Sequence, residues 1–282
     1  MNILYVLKKD RIERDNIKYL LLGVYLKKSE KWLNKHNDEN DFFDRYLGLF
    51  IAVNIAYELW RKIVNKYPSY EDKRDFKNSG DNLISSDIKS NLINDFSVKL
   101  FALLEREDLY IKIGSKENKK DVQKVFSDSD NEDEKFKAIW ESFYSVRCNL
   151  VHGEKGYEDR QGRLLALIYP QLKFCLDDII KKLKTLNHLL AIYHFIRKDV
   201  VIDSQMGKKY RILDINDEKI IILRKNAKDK ERNYIILIKD IYSILYKFCD
   251  KYSEIDTISI KEYVDGVQSP VIAILKYSNI IK

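Results

Sequence analysis

A chain of 282 residues with 45% hydrophobic and 12% aromatic content is long enough for one large or two modest cored domains. Three prolines and nine glycines are too few for a sandwich or barrel with many turns, and three cysteines without a CxxC pair exclude a disulfide scaffold, so helices are favoured. The formal charge of +7, from 51 basic against 44 acidic residues, permits polyanion binding without demanding it.

In chain order, Ile3 to Leu7 is a short apolar piece that could be a strand or the lead into a helix. From Arg11 to about His36, Ile12, Ile17, Leu20, Leu21, Val24, Tyr25 and Leu33 follow helical spacing. A second helix is predicted from Phe42 to Tyr67, where Pro68 stops it. It is apolar nearly all round between Leu47 and Leu59, which makes it central to a bundle. Asn54 in that run is read as structural, because a buried amide without a partner costs roughly 1 to 3 kcal/mol. Residues 69 to 82 read as a polar loop, Ile88 to Leu104 as a third helix, and 114 to 134 as an exposed insertion.

The next helix is marked by Phe136, Ile139, Trp140, Phe143, Val146 and Leu150, with Gly153 as its stop. A further helical pattern runs from Arg160 through Leu183, kinked or restarted at Pro170, and Leu186 to Ile196 completes the helical part. Past Lys198 the pattern changes to short β-branched or aromatic runs, Val200–Ile202, Tyr210–Ile215, Ile220–Leu223 and Tyr234–Ile238, expected to form a small antiparallel sheet. Ile241–Phe248 and Val271–Tyr277 read as helices, the second capped by Ser269 with Pro270 as its first residue. The expected architecture is mainly α, a helical domain over 1–196 followed by a small α+β domain over 197–282.

Two absences set the expected compartment. The chain opens without a basic region leading into an apolar stretch and a cleavage site, and its most hydrophobic run, Leu47–Tyr57, is too short to span a bilayer. A reducing cytoplasm is the expected home. His36, His188 and His194 are scattered without zinc-ligand spacing, and no phosphate-binding glycine loop occurs. No metal or cofactor is called for.

Chemistry concentrates in Ser145-Val146-Arg147-Cys148-Asn149-Leu150-Val151-His152-Gly153-Glu154-Lys155. Arginine offers a bidentate fork to phosphate oxygens, and histidine titrates near neutrality and can move a proton. Five helical residues rotate a side chain by roughly 140°, so Arg147 and His152 flank a cleft or meet residues from elsewhere.

Arg147, four intervening residues and His152, with Asn149 between them, resemble the arginine-x4-6-histidine motif of HEPN domains, helical domains many of which are ribonucleases. Phe43-Asp44-Arg45-Tyr46 running on to Phe50–Tyr57, and Asp159-Arg160-Gln161-Gly162-Arg163-Leu164-Leu165, also look like that family. The resemblance covers about residues 11 to 197 and implies a HEPN-like helical bundle. It further implies a homodimer whose paired motifs line one cleft, and metal-independent cleavage of single-stranded or loop RNA by attack of the 2′-hydroxyl. Arg147, His152 and Asn149 are then the catalytic candidates; Lys155, Arg160 and Arg163 could extend an RNA-binding surface. A toxin or antiviral defence effector is the setting implied, with a possible antitoxin or regulatory protein as partner. One departure stands out: Glu154 occupies the position, two after the histidine, where HEPN toxins paired with nucleotidyltransferase antitoxins often carry tyrosine. Two alternatives stay open, a non-catalytic RNA- or protein-binding HEPN module and a DNA-binding regulator acting through the C-terminal sheet.

Overall fold

The computed structural model describes residues 16–35, 42–64, 72–114, 118–151, 159–204, 207–225 and 231–281. It is mainly helical, with a small antiparallel sheet in the C-terminal part. Two compact units emerge, Val24–Ile180 and Lys181–Lys282, residues 16–23 belonging to the second. Their division falls inside a helix, while the change from helix to strand expected near 197 lies between Phe195 and Val201. The apolar piece Ile3–Leu7 lies outside the described residues.

The first unit begins in helix α1 (Asn16–Lys35), followed by α2 (Phe42–Val64). In α2, Tyr46, Leu49, Phe50, Val53, Ala56, Tyr57 and Trp60 are buried at helical spacing, as one face turned into a core requires. Ile51 on the same helix is exposed, so α2 is not covered on every side as its composition suggested. Ser29 of α1 donates its hydroxyl to Ala52 O at 3.0 Å, tying the two helices by a buried polar contact.

The loop expected over 69–82 is instead helix α3 (Asp72–Leu83). Its polar sequence hides the reason, which is tertiary. Phe76 is fully buried and stacks on Trp140 at 4.4 Å and 1°, and the Trp140 indole N–H donates to Phe76 O at 2.9 Å. Gly80 lets the indole approach, since a Cβ there would lie 2.3 Å from Trp140 Nε1. A short helix α4 (Ser86–Asn91) passes through a π-helical turn, Leu92–Phe96, into α5 (Ser97–Arg106). These three segments fill the span of the predicted third helix. Asp178 accepts from both the backbone N–H and the hydroxyl of Ser85 at 2.8 Å, pinning the corner between α3 and α4.

Residues 114–134, expected as a bare insertion, carry structure. Strands β1 (Lys112–Ile113) and β2 (Lys120–Asp121) pair antiparallel, and helix α6 (Val122–Ser127) follows. Asp121 caps α6 by accepting from Gln123 N–H at 2.9 Å, while Val122 is fully buried and Phe126 meets Phe101 edge-on at 5.1 Å. Two apolar anchors thus organise a polar stretch. The motif helix α7 (Glu132–Val151) runs through this unit, and α8 (Asp159–Phe195) is one helix with Pro170 inside it and exposed. A proline on the solvent side forfeits one ladder bond without ending the helix.

In the second unit, β3 (Val201–Asp203), β4 (Lys209–Ile215), β5 (Lys219–Lys225) and β6 (Glu231–Leu237) form a meander in sequence order, with a bulge between Ile212 and Asp214. Ile202, Tyr210, Ile212, Ile220, Ile222 and Ile236 alternate inward. Helix α9 (Ile238–Lys247) lies beside β6 and α10 (Gln268–Tyr277) beside β3. Ser269 does not cap α10: the helix starts at Gln268, two residues earlier than expected, with Val267 at the cap position, and the Ser269 hydroxyl lies 3.1 Å from that of Tyr210. No helix among the described residues is long and apolar enough to cross a membrane.

Candidate functional site

Arg147 sits in α7 four residues before Val151, where the described part of the helix ends. Its guanidinium lies over two rings, Phe50 of α2 at 5.7 Å and Tyr144 one turn back at 5.8 Å, and Nη1 approaches Cys148 Sγ at 3.9 Å. Those contacts splint a side chain that is otherwise rich in rotamers, so its fork is held in a restricted set of directions. Arg147 remains half-buried, as do Cys148 and Asn149.

Beneath it, α2 is locked to α7 through Tyr46. This fully buried phenol donates to Phe143 O at 2.6 Å. Burial pushes its pKa well above the ordinary value, with Cys148 adding to the shift and Arg147 opposing it, so Tyr46 stays a neutral donor at physiological pH. One turn along α2, Phe50 contacts Phe76 at 5.5 Å and Tyr144 at 6.1 Å. Arg147 therefore rests on an aromatic floor contributed by two helices, with Phe76 of α3 packed against both rings.

The other expected residues are placed differently. Asn149 is two positions from Arg147, about 200° around the helix. It lines a crevice of about 30 Å³ with Leu109, Ile111, Gln161, Leu164 and Leu165, room for a water but not for a nucleotide. The structure does not bring Asn149 and Arg147 to one point. His152 and Lys155 lie outside the described residues. Arg160 is half-buried in the first turn of α8.

Arg163 is engaged rather than available. It grips Glu107 with both nitrogens of one edge, Nε to Oε1 at 3.0 Å and Nη2 to Oε2 at 2.5 Å. That fork, with help from Arg106, holds the Glu107 carboxyl below its usual range. An RNA phosphate would have to displace a bidentate carboxylate to reach Arg163.

Comparison of the chain with protein-family models, with curated proteins and with solved structures finds no match. The site is therefore read from its own chemistry.

A charged cluster that the sequence reading missed lies farther up α7. Glu141 is buried and binds Lys77 at 2.6 Å, also pairs with Lys73, and accepts from Gly114 N–H at 2.9 Å. Burial alone would raise its pKa, but the two lysines and the backbone donor lower it below the usual carboxylate value. Gly114 has φ +109°, and a Cβ there would meet Asn118 O at 2.4 Å, so the donor is presented by a backbone conformation that needs glycine. An acidic residue on the apolar face of a helix, at Glu141 between Trp140 and Phe143, was the available signal. Among the described residues, no group of three or more histidine, cysteine, aspartate or glutamate side chains could hold a metal.

Proposed function

We propose that this chain is a HEPN-type endoribonuclease that cleaves single-stranded or loop RNA without a metal, acts as a homodimer, and serves as a toxin or antiviral defence effector. The observation that carries this reading is an arginine of α7 held on an aromatic floor, with a histidine following in the sequence at a spacing of five. RNA brings its own nucleophile. In the proposed reaction His152 takes the proton from the 2′-hydroxyl, the oxygen attacks the adjacent phosphorus, and the P–O5′ bond breaks as an imidazolium gives a proton to the departing O5′. A 2′,3′-cyclic phosphate and a 5′-hydroxyl result. Arg147 offers its fork to the phosphorane oxygens as charge builds there.

A positioned acid or base contributes about 10² to 10⁴ in rate, and oriented charge a similar factor. The twofold arrangement is part of the proposal because a spacing of five would turn two helical side chains about 140° apart, whereas two copies can supply both groups to one phosphate. Asn149, facing its own crevice, is left out of the reacting set. Arg160 stays in the RNA-facing surface of this reading; Arg163 enters it only if Glu107 lets go.

The test is incubation of the purified chain with RNA in EDTA, with end-group analysis. Fragments ending in 2′,3′-cyclic phosphate are expected, lost by at least about a hundredfold in Arg147→Ala and in His152→Ala variants that still fold. Unchanged cleavage by both variants would overturn the assignment. RNA retained but never cut would favour a non-catalytic binding module, a role that a ring-packed Arg147 also suits.

A further inference from the structure

One row of side chains crosses all four strands of the C-terminal sheet: Ile202 stands opposite Tyr210, Tyr210 opposite Arg224, and Arg224 opposite Arg232. Alternation sets its direction. Ile222, two residues before Arg224, and Tyr234, two after Arg232, are buried on the covered face, so both arginines belong to that face at its rim. Directly opposed Cβ atoms on antiparallel strands are roughly 5 Å apart, and like charges there are unfavourable.

Among the described residues, neither arginine has a carboxylate within ion-pair distance. Arg224 is half-buried and its Nε is buried with no hydrogen-bond partner. Arg232 is exposed and lies over the Tyr234 ring at 5.0 Å. Tyr234 meets Tyr210 edge-on at 6.5 Å, and the Tyr210 hydroxyl is 3.1 Å from the Ser269 hydroxyl. Two forks and a hydroxyl pair thus adjoin at one end of the sheet, and among the described residues the positive charge has no neutralising group.

We propose that Arg224 and Arg232 form a binding site for a phosphomonoester, the terminal phosphate of an RNA strand or of a free nucleotide. A phosphomonoester carries close to two negative charges at neutral pH and three terminal oxygens, enough to accept from both forks and relieve their repulsion. A backbone diester has one charge and two free oxygens, and a carboxylate likewise has one charge on two oxygens, so neither neutralises both guanidinium groups. Tyr210 and Tyr234 are buried, so no base can stack on them, and the site reads the phosphate rather than the base. The assignment stands independently of the nuclease reading.

The test uses the full chain and a 2′-O-methyl oligonucleotide, which lacks the nucleophile and cannot be cleaved by the proposed reaction. Anisotropy is measured for the strand with a 5′-phosphate, with a 3′-phosphate and with hydroxyl ends, and adenosine monophosphate is titrated as competitor. At least one phosphorylated strand is expected to bind about tenfold or more tightly than the hydroxyl strand, with Arg224→Gln and Arg232→Gln each removing that preference. Competition by the mononucleotide assigns the site to free nucleotides as well as strand ends; phosphate-selective strand binding without it assigns strand ends alone. Inorganic phosphate should raise the melting temperature of the parent and not of the double variant. In phosphate-free buffer Arg232→Gln should melt no lower than the parent, because it removes a repulsion. Equal binding of all strands with no mononucleotide bound, or unaltered phosphate selectivity in the folded double variant, overturns the proposal.

Discussion

Gly80 offers a test in which two physical effects have opposite signs. Replacing a mid-helix glycine by alanine ordinarily stabilises a helix by about 1 kcal/mol. Here the new methyl would sit 2.3, 2.5 and 2.7 Å from Nε1, Cδ1 and Cε2 of Trp140, all atoms of a rigid ring. That ring is held on its other sides: Phe76 stacks on it at 4.4 Å, Phe143 meets it edge-on at 5.8 Å, and its N–H is bonded to Phe76 O. Making room means shifting a buried indole or separating α3 from α7. Overpacking of this kind costs about 1 to 3 kcal/mol, and loss of the indole hydrogen bond adds about 1 kcal/mol. Net of the helix gain, Gly80→Ala should destabilise by about 2 kcal/mol and lower the melting temperature by about 4 to 8 °C. The assay is thermal and urea unfolding of Gly80→Ala, Trp140→Phe and the double variant. A smaller ring removes the clash, so the double-mutant cycle should show a coupling of about 2 kcal/mol. A rise in melting temperature for Gly80→Ala, or additivity in the cycle, would refute the close-approach argument.

Glu141→Gln should destabilise the first unit by about 2 kcal/mol in urea unfolding at pH 7, less than a fully buried pair because Lys73 and Lys77 are about a third exposed and regain water. Because the folded pKa of Glu141 is lowered from 4.5, its contribution is present above that value and lost as pH falls through the folded pKa; the variant should therefore lose less stability than the parent on acidification. His188 gives a second pH window: burial, with Lys184 adding to it, lowers its pKa from 6.5 to about 4. The folded state prefers neutral imidazole, so that stability is present above pH 6.5 and falls away between pH 6.5 and 4, by about 3 kcal/mol, an effect that His188→Gln should abolish in pH-dependent unfolding.

Helices with many apolar residues were legible because periodicity reports burial directly. Phe136, Ile139, Trp140, Phe143 and Val146 are all buried as spacing required, and the four strands stand close to their predicted places. Segments organised by one or two anchors were not legible. In α3, Phe76 and Leu83 are the fully buried apolar side chains, and the Phe76 partner Trp140 is 64 residues away, a relation no local window contains. The same applies to Val122 and Phe126 in the segment read as an insertion.

At the candidate site the chain disclosed which groups can handle a phosphate but not what holds them. Arg147 was found by residue type and spacing, whereas its floor depends on α2 running past α7 so that Phe50 comes beneath the guanidinium and Tyr46 reaches Phe143 O. Arg163 shows the converse. As an arginine shortly after the motif it reads as a phosphate ligand, yet Glu107, 56 residues earlier, fills its fork. Whether an arginine is available to an anion is decided by which carboxylates the fold brings to it, and that is a property of tertiary contacts. The same criterion directs attention to Arg224 and Arg232, two side chains that the motif reading passed over and that the described structure leaves without a counter-charge.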